Sequence, residues 1–427
     1  MLEIGCAEGD LLASTRPEYG VGIDFSDEMV KLAQAKHPGL NFKVMDAHQA
    51  DQLKETFDFI ILSDLVNDLY DVQQVFESIR KLTHPGSRLI INIFSRMWQV
   101  PISAAEKIGL ATPNLEQSWF TVSDLHSLLT LSGFELINNW IEILFPLNIP
   151  LLDEFFDRFL VRFWPFSWFG LTNLLIARPE PVKVDRPRLP SVSVVVPARN
   201  EAGNVPAIFE RIPEMGSETE IIFVEGNSSD NTFEVIQKEL PLHPDRKASL
   251  YKQPGKGKAD AVKVGFDKAN GDILMILDAD LTVPPEDLPR FYAAIASGKG
   301  EFINGVRLVY PMEEQAMRFF NLLGNKFFSL AFSWLLSQDV KDTLCGTKVL
   351  WKKDYLTIAA NRAYFGDFDP FGDFDLLFGA ARMKLKIVDL PIRYRERTYG
   401  STNISRWKHG MILLRMVAYA AIKLKFI

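Results

Sequence analysis

Cysteine is nearly absent: the 427-residue chain has two, Cys6 and Cys345. One possible pair cannot frame a disulfide scaffold, and so few thiols point to a reducing compartment. Long uninterrupted apolar runs are missing as well. The candidates are broken by Lys326, by Arg415 and Lys423, or by proline, so no window of about 18 residues predicts a spanning helix. Positive charge is not in excess: the formal net charge is −7, which argues against a nucleic-acid partner. No leader is expected, because Met1 runs directly into LEIGCAEG, which reads as the interior of a domain. What is present is ordinary for a folded chain, 47% hydrophobic and 24% charged, and its length asks for about two or three domains.

The chemistry is densest in GDILMILDADLTVPPEDLP, residues 271–289. An apolar run, Ile273 to Leu277, delivers Asp278 and Asp280 with one residue between them, and Pro284 and Pro285 end it. The pattern predicts a buried strand ending in acid. Ligands of open α/β sheets gather at the carboxyl ends of strands, where two carboxylates suit a hard cation, Mg2+ or Mn2+, together with substrate phosphates. An Asp pair in a plain turn looks the same, so the neighbours decide. Val192 to Val196 reads as a strand halted by Pro197, after which Asn200 and Glu201 are placed to open and cap a helix. Ile221 to Val224 reads as another, ending at Glu225, which can accept from a base or a ribose. Residues 251–260, YKQPGKGKAD, form a Gly/Lys loop suited to a phosphate at a helix start.

Residues 1–177 also alternate strand-like and helical runs. Strands are expected at Leu2 to Ile4, Gly20 to Asp24, Asn41 to Met45, Phe57 to Leu62 and Arg88 to Phe94, and Leu171 to Ala177 fits a last strand. The fold class is therefore α/β, with two doubly wound, Rossmann-like domains. Residues 178–190, RPEPVKVDRPRLP, carry four prolines and no periodicity and read as a stiff linker between domains at 1–177 and 191–427. In the first domain Glu3, Gly5 and Gly9 sit in a turn after the first strand, where missing side chains let backbone approach a ligand. Asp24 closes the second strand, where an acid takes ribose hydroxyls, and Asp46 closes the third.

These segments resemble class I S-adenosylmethionine-dependent methyltransferases. LEIGCAEG is similar to the family's first motif, GIDFS to its ribose-binding acid, MDA to the segment beside the adenine, and FDFIILSDLVNDLYD with LTHPGSRLIINIF to its fourth and fifth strands. The resemblance implies S-adenosylmethionine as cofactor, faced by Glu3, Gly5, Gly9, Asp24, Asp46 and Asp64. Ala7 stands where the family has a glycine. No acid or base for methyl transfer is marked by spacing, and His84 before Pro85-Gly86 reads as a turn residue.

The second half resembles family 2 glycosyltransferases of the GT-A fold, and within them the dolichyl- or polyprenyl-phosphate sugar synthases. The resemblance rests on VVVPARNE, VEGNSSDNT, GKGKADAVKVGF, DADL, NGVR, DTLCGTK and PIRYRERTYGSTNI. It implies an inverting transfer from a nucleotide-sugar donor of the GDP-mannose or UDP-glucose class to a lipid phosphate. Donor contacts are then expected from Pro197, Arg199, Glu201, Glu225, Lys258, Asp260 and Asp278, and metal contacts from Asp278 and Asp280. Asp375, or Asp373 beside it, is the candidate base if the acceptor is an alcohol. A phosphate acceptor, already largely ionised at pH 7, needs cations instead, and Arg307, Arg318, Arg395 and Arg397 with Ser401 are the candidates. Rival readings are transfer to a soluble or polysaccharide hydroxyl, and a regulatory module whose sites have lapsed.

Aromatic residues cluster. Residues 155–169 mix Phe and Trp with Arg158 and Arg162, residues 319–336 are almost wholly apolar around Lys326, and residues 406–427 combine Trp407 and Tyr419 with Lys408, Arg415, Lys423 and Lys425. Such mixtures suit either domain cores or a lipid interface. The second alternative places the protein in the cytoplasm, peripheral on the cytoplasmic face of a membrane.

Overall fold

The computed structural model describes residues 1–109, 117–144, 152–181, 188–307, 319–362, 374–395, 397, 399 and 406–426. It divides into two compact units, Met1–Val182 and Lys183–Lys425. Each is an α/β unit built on one seven-stranded, mostly parallel sheet.

In the first unit the strands are β1 (Leu2–Ile4), β2 (Val21–Asp24), β3 (Asn41–Val44), β4 (Phe59–Leu62), β5 (Arg88–Phe94), β6 (Phe134–Glu142) and β7 (Thr172–Pro179). Their order is β3-β2-β1-β4-β5-β7-β6. The first five are mutually parallel, and β7 runs antiparallel between β5 and β6. LEI is buried throughout and FIIL at all but its first residue, which is why both read as continuous apolar runs rather than alternating ones. Ser26 caps helix Asp27–Lys36 and Asp71 caps helix Val72–Arg80, each accepting a backbone N–H of the first turn. The last strand was expected to stop at Ala177 but continues through Pro179. Arg178, which reads as linker, lies buried in a salt bridge with Glu135 on β6. Residues 182–187 of the expected linker lie outside the described residues.

The second unit contains β8 (Val192–Ala198), β9 (Thr219–Glu225), β10 (Lys247–Lys252), β11 (Ile273–Ile276), β12 (Phe302–Val306), β13 (Lys348–Trp351) and β14 (Ile387–Pro391), in the order β10-β9-β8-β11-β13-β12-β14. β13 alone runs against its neighbours β11 and β12. The carboxyl ends of β8, β9, β11, β12 and β14 and the amino end of β13 therefore share one edge. A buried clamp sets β11 in register. Ser193 Oγ donates to Glu220 at 2.6 Å and accepts from Gly271 N at 2.8 Å, and Glu220 also accepts from Asn270 N at 2.9 Å. Gly271 is required there, because a Cβ would lie 2.5 Å from Ser193 N.

Asn200 does not cap a helix. It takes the left-handed conformation (φ 57°), and its Oδ1 accepts from Ser229 N at 2.8 Å. The helix starts later, at Val205, where Pro206 favours a first-turn position because its missing N–H is not needed there. Residues 319–336 and 406–424 are helices, as their composition suggests. Among the described residues no helix is long and apolar enough to cross a membrane.

Phe223 on β9 is fully buried and stacks on Phe209 with ring centroids 4.9 Å apart. Phe223→Ala is expected to destabilise the second unit by about 3–5 kcal/mol, lost transfer energy plus a cavity. Urea unfolding followed by circular dichroism checks this, and a loss below about 1 kcal/mol would contradict the packing.

Candidate functional site

The second unit gathers charge just beyond β11. Leu277 N still pairs with Val195 O at 3.0 Å, and the chain then turns through Asp278, Ala279 and Asp280, with Leu281 at φ 56°. Lys258, the first residue of helix Lys258–Lys268, sets Nζ 2.7 Å from Asp278 Oδ1. Burial alone would raise the Asp278 carboxyl. The charge and hydrogen bond of Lys258, with Lys348 and Arg307 nearby, outweigh that and hold it below the usual range. A Cβ on Gly346 would fall 2.0 Å from Asp278 Oδ2 and 2.3 Å from Lys258 Nζ, so any side chain there would push the ion pair aside.

Asp280 is held from three directions. Thr282 donates to Oδ1 from its backbone N at 3.1 Å and its hydroxyl at 2.7 Å, and Arg397 Nη2 lies 2.7 Å from Oδ2. The same guanidinium reaches Glu201 Oε1 through Nη1 at 3.1 Å, and Asn204 Nδ2 donates to Glu201 Oε2 at 2.8 Å. Burial, reinforced by the charges of Asp280 and Asp278, pushes Glu201 up to about 7 against the pull of Arg397. Asp278 and Asp280 thus each lie beside a cation, Lys258 and Arg397, and share the cleft with Glu201.

These residues fit a hard divalent cation in donor type, since carboxylate oxygen is what Mg2+ and Mn2+ take. Among the described residues no three His, Cys, Asp or Glu side chains are grouped so as to hold a metal by themselves. Two carboxylates with the rest of the coordination sphere left to water and phosphate is the usual arrangement for Mg2+ bound with a nucleotide.

The other expected contacts are placed as follows. Pro197 is half-buried and Arg199 exposed at the end of β8. Glu225 is buried and accepts from Ser228 N in its own turn. Asp260 accepts from Gly255 N at 2.8 Å and so shapes the Gly/Lys loop. Arg307 gives Nε and Nη2 to Asp342 at 2.7 and 2.9 Å and lies 5.2 Å above the Tyr394 ring, in a buried bidentate pair. Arg395 has an exposed side chain, while its backbone N donates to Thr282 O at 2.9 Å behind Asp280. Asp375 is buried and its Oδ2 lies 2.6 Å from Arg362 Nε. Arg318, Asp373 and Ser401 lie outside the described residues.

Three residues of DTLCGTK had no individual role at the sequence level: Asp342 anchors Arg307, Gly346 covers Asp278, and fully buried Lys348 donates to Cys345 O. Only the motif as a block signalled them. Cys345 is buried, with its thiol pushed up to about 11 by that burial, as suits packing rather than nucleophilic chemistry.

In the first unit the expected cofactor residues lie along the carboxyl edge of β1, β2 and β4. Gly5 and Gly9 take positive φ (73° and 78°), as does Ala7 (44°) in the same loop. Asp24 ties that loop down, with Oδ2 accepting from Ala7 N and Oδ1 from Ser26 N, both at 2.9 Å. Glu3 is buried and Oε2 accepts from Leu12 N at 3.0 Å. Asp46 is exposed and accepts from His48 N at 2.8 Å. Asp64 is exposed, in the left-handed region, and bonded to Asn92 across to β5.

Comparison with known proteins defines both units. Residues 193–346 match the family described as Glycosyl transferase family 2, and residues 1–139 match a Methyltransferase domain. The chain therefore carries a family 2 glycosyltransferase domain and a methyltransferase domain. Among curated proteins it is similar to the dolichol-phosphate mannosyltransferase of Pyrococcus furiosus, 30% identical over 50% of this chain and 59% of that one. It is also similar to the undecaprenyl-phosphate 4-deoxy-4-formamido-L-arabinose transferase of Proteus mirabilis, 32% identical over 26% of this chain and 35% of that one. The chain thus spans between about a third and three fifths of the length of these curated relatives. Among solved structures, the glucosyl-3-phosphoglycerate synthase of Mycobacterium tuberculosis, in complex with Mn2+, UDP and glucosyl-3-phosphoglycerate, matches at a TM-score of 0.40. The identity is 17%, over 55% of this chain and 80% of that one.

Two outcomes test the geometry. Burial pushes Glu3 up to about 7 from 4.5, so its contribution to stability is complete below about pH 4.5 and is lost as pH rises through 7. Glu3→Gln keeps an acceptor for Leu12 N and removes the charge. It should therefore gain on the parent protein between pH 5 and pH 8 by up to roughly 3 kcal/mol in urea unfolding of the first unit; a pH-independent difference contradicts the assignment. Gly346→Ala, which forces a Cβ against Asp278, is expected to cost about 1–3 kcal/mol in thermal unfolding.

Proposed function

We propose that the second unit is a metal-dependent, inverting glycosyltransferase that moves a sugar from a nucleotide diphosphate to a polyprenyl-type lipid phosphate. The observation that carries the reading is the cluster at the carboxyl edge of β11, where Lys258–Asp278 and Asp280–Arg397–Glu201 set carboxylate oxygens beside forked and single-point cations in one cleft. The names of the curated relatives, which pair sugar transfer with dolichol and undecaprenyl phosphates, support the acceptor class.

In this reading an acceptor phosphate oxygen attacks the anomeric carbon as the bond to the donor diphosphate breaks, inverting the centre in one displacement. Asp278 and Asp280 would hold Mg2+ or Mn2+, which would supply Lewis-acid neutralisation of the departing diphosphate. Lys258 is placed to add its charge on the same side. Arg397, beside Asp280, would turn toward phosphate, where its forked donors suit two phosphate oxygens at once. With a second pKa near 6, the acceptor phosphate needs such cations more than a base. Donors of the GDP-mannose or UDP-glucose class fit the Gly/Lys loop and Glu225. The lipid acceptor puts the enzyme on a membrane surface, peripheral on its cytoplasmic side. The exposed Phe327, Leu330, Met411 and Leu414 on helices Phe319–Leu336 and Arg406–Leu424 are the surface for it. For the first unit we propose S-adenosylmethionine as ligand, with Asp24 at the ribose and the loop of Gly5 and Gly9 along the rest.

Transfer from GDP-mannose and UDP-glucose to a short polyprenyl phosphate, with Mn2+ and with chelator, tests the reading. Asp280→Ala is expected to lower turnover at least about a hundredfold. Undiminished turnover in that variant, or in chelator, sinks it.

A further inference from the structure

Glu201 was expected to touch the donor, but in the fold both of its oxygens are engaged from within the chain. Oε1 accepts from Arg397 Nη1 at 3.1 Å and Oε2 from Asn204 Nδ2 at 2.8 Å, while its backbone N donates to Thr232 Oγ1 at 3.0 Å. Glu201 and Asn204 are both buried. Held at three points and shielded from water, this carboxylate is a fixed acceptor.

Asp280 is placed differently. Thr282 gives two donors to Oδ1, which fills the two lone-pair positions of that oxygen. A metal on Asp280 is then taken on the side of Oδ2, where Arg397 Nη2 lies at 2.7 Å. A guanidinium and a divalent cation on one carboxylate oxygen repel each other, the more so where water is partly excluded. Asp280 therefore takes one or the other.

The backbone on either side of Arg397 is held. Arg395 N donates to Thr282 O at 2.9 Å, and Tyr399 packs so closely on Gly203 that a Cβ there would fall 2.5 Å from the ring. The guanidinium, on a side chain 26% exposed, is the part with room to turn. Its two Nη groups are the tips of one planar fork, so one can stay bound while the other changes partner.

We propose that Glu201 is the pivot of Arg397. Nη1 stays on Glu201 Oε1, while Nη2 leaves Asp280 Oδ2 when Asp280 takes a divalent cation and swings to an oxygen of the donor diphosphate. Glu201 is then a positioning residue that acts through Arg397 and makes no contact with the donor itself, and Asn204 fixes it in that role. Arg397 accordingly lowers the affinity for the cation alone and raises the affinity for nucleotide once the cation is bound. The pivot rests on the reading of this unit as a metal-dependent transferase using nucleotide-sugar donors.

The full chain tests it, with Mn2+ binding followed by loss of the free-ion paramagnetic resonance signal and binding of UDP and GDP in saturating Mn2+ followed by calorimetry. Arg397→Gln is expected to bind Mn2+ alone about tenfold more tightly and nucleotide about tenfold more weakly, one charged hydrogen bond in each direction. A merely structural role would move neither or weaken both. Glu201→Gln should weaken nucleotide binding about fivefold in the parent but less than about twofold in the Arg397→Gln background. Equal losses in the two backgrounds mean that Glu201 touches the donor, and they overturn the pivot. If circular dichroism shows Arg397→Gln unfolded, Arg397→Lys decides: it keeps the charge without the fork, so Mn2+ affinity should stay within about threefold while nucleotide binding falls about tenfold. Parental nucleotide affinity in that variant overturns the proposal. A parent protein without Mn2+-dependent nucleotide binding removes the transferase reading and the pivot together. Such binding in the parent, with Mn2+ affinity unchanged or lowered in Arg397→Gln, overturns the pivot alone.

Discussion

One guanidinium holds the second unit's site together. Arg397 lies between Asp280 and Glu201, two carboxylates that would otherwise repel each other in a half-buried cleft, and Lys258 does the same service for Asp278. Neither arrangement is a surface ion pair of small consequence, because the groups sit where water is partly excluded and the field between them is strong. Even so Glu201, buried and near Asp280 and Asp278, keeps a raised affinity for a proton, chiefly because of its burial. In the function proposed above, a divalent cation and its phosphates would relieve the remaining repulsion among these carboxylates.

What allows these residues to meet is strand direction. Lys258, Asp278, Arg307, Gly346 and Arg397 are dispersed over some 140 residues of chain, as their numbering shows. They converge because β11, β12 and β14 deliver their carboxyl ends to one edge while the reversed β13 brings the loop before Lys348 to the same place. The reversal matters: a parallel β13 would carry Gly346 to the far side of the sheet. Beneath the edge, Arg307 and Asp342 form a buried bidentate pair that ties β12 to the loop ahead of β13.

The first unit follows the same logic with a different outcome. Its carboxyl edge carries loops that satisfy themselves, with Asp24 accepting from Ala7 and Ser26 and Glu3 from Leu12. A carboxylate that already orders a loop remains able to accept from a ligand, since each oxygen has more than one acceptor position.

Much of this was legible in the chain alone. The alternation of apolar runs with amphipathic ones declared two α/β units, and the DAD sequence after ILMIL declared a strand ending in acid, because both are local patterns with periods of two to four residues. Charge partners were not legible. Nothing near Asp280 in sequence names Arg397, nothing near Arg307 announces that Asp342 will take its donors, and Asn200 looked like a helix cap until the Ser228–Ser229 turn claimed its side chain. The direction of β7 and β13 was hidden for the same reason: an apolar strand reads identically in either sense. Sequence by itself marked the strands whose apolar runs are long and cleanly bounded, and the chemical groups at their ends, but not β6, β12, β13 or β14. Tertiary structure alone decided which of those groups neutralise one another, since Coulomb attraction and hydrogen bonding depend on distance in space and carry no trace of distance along the chain.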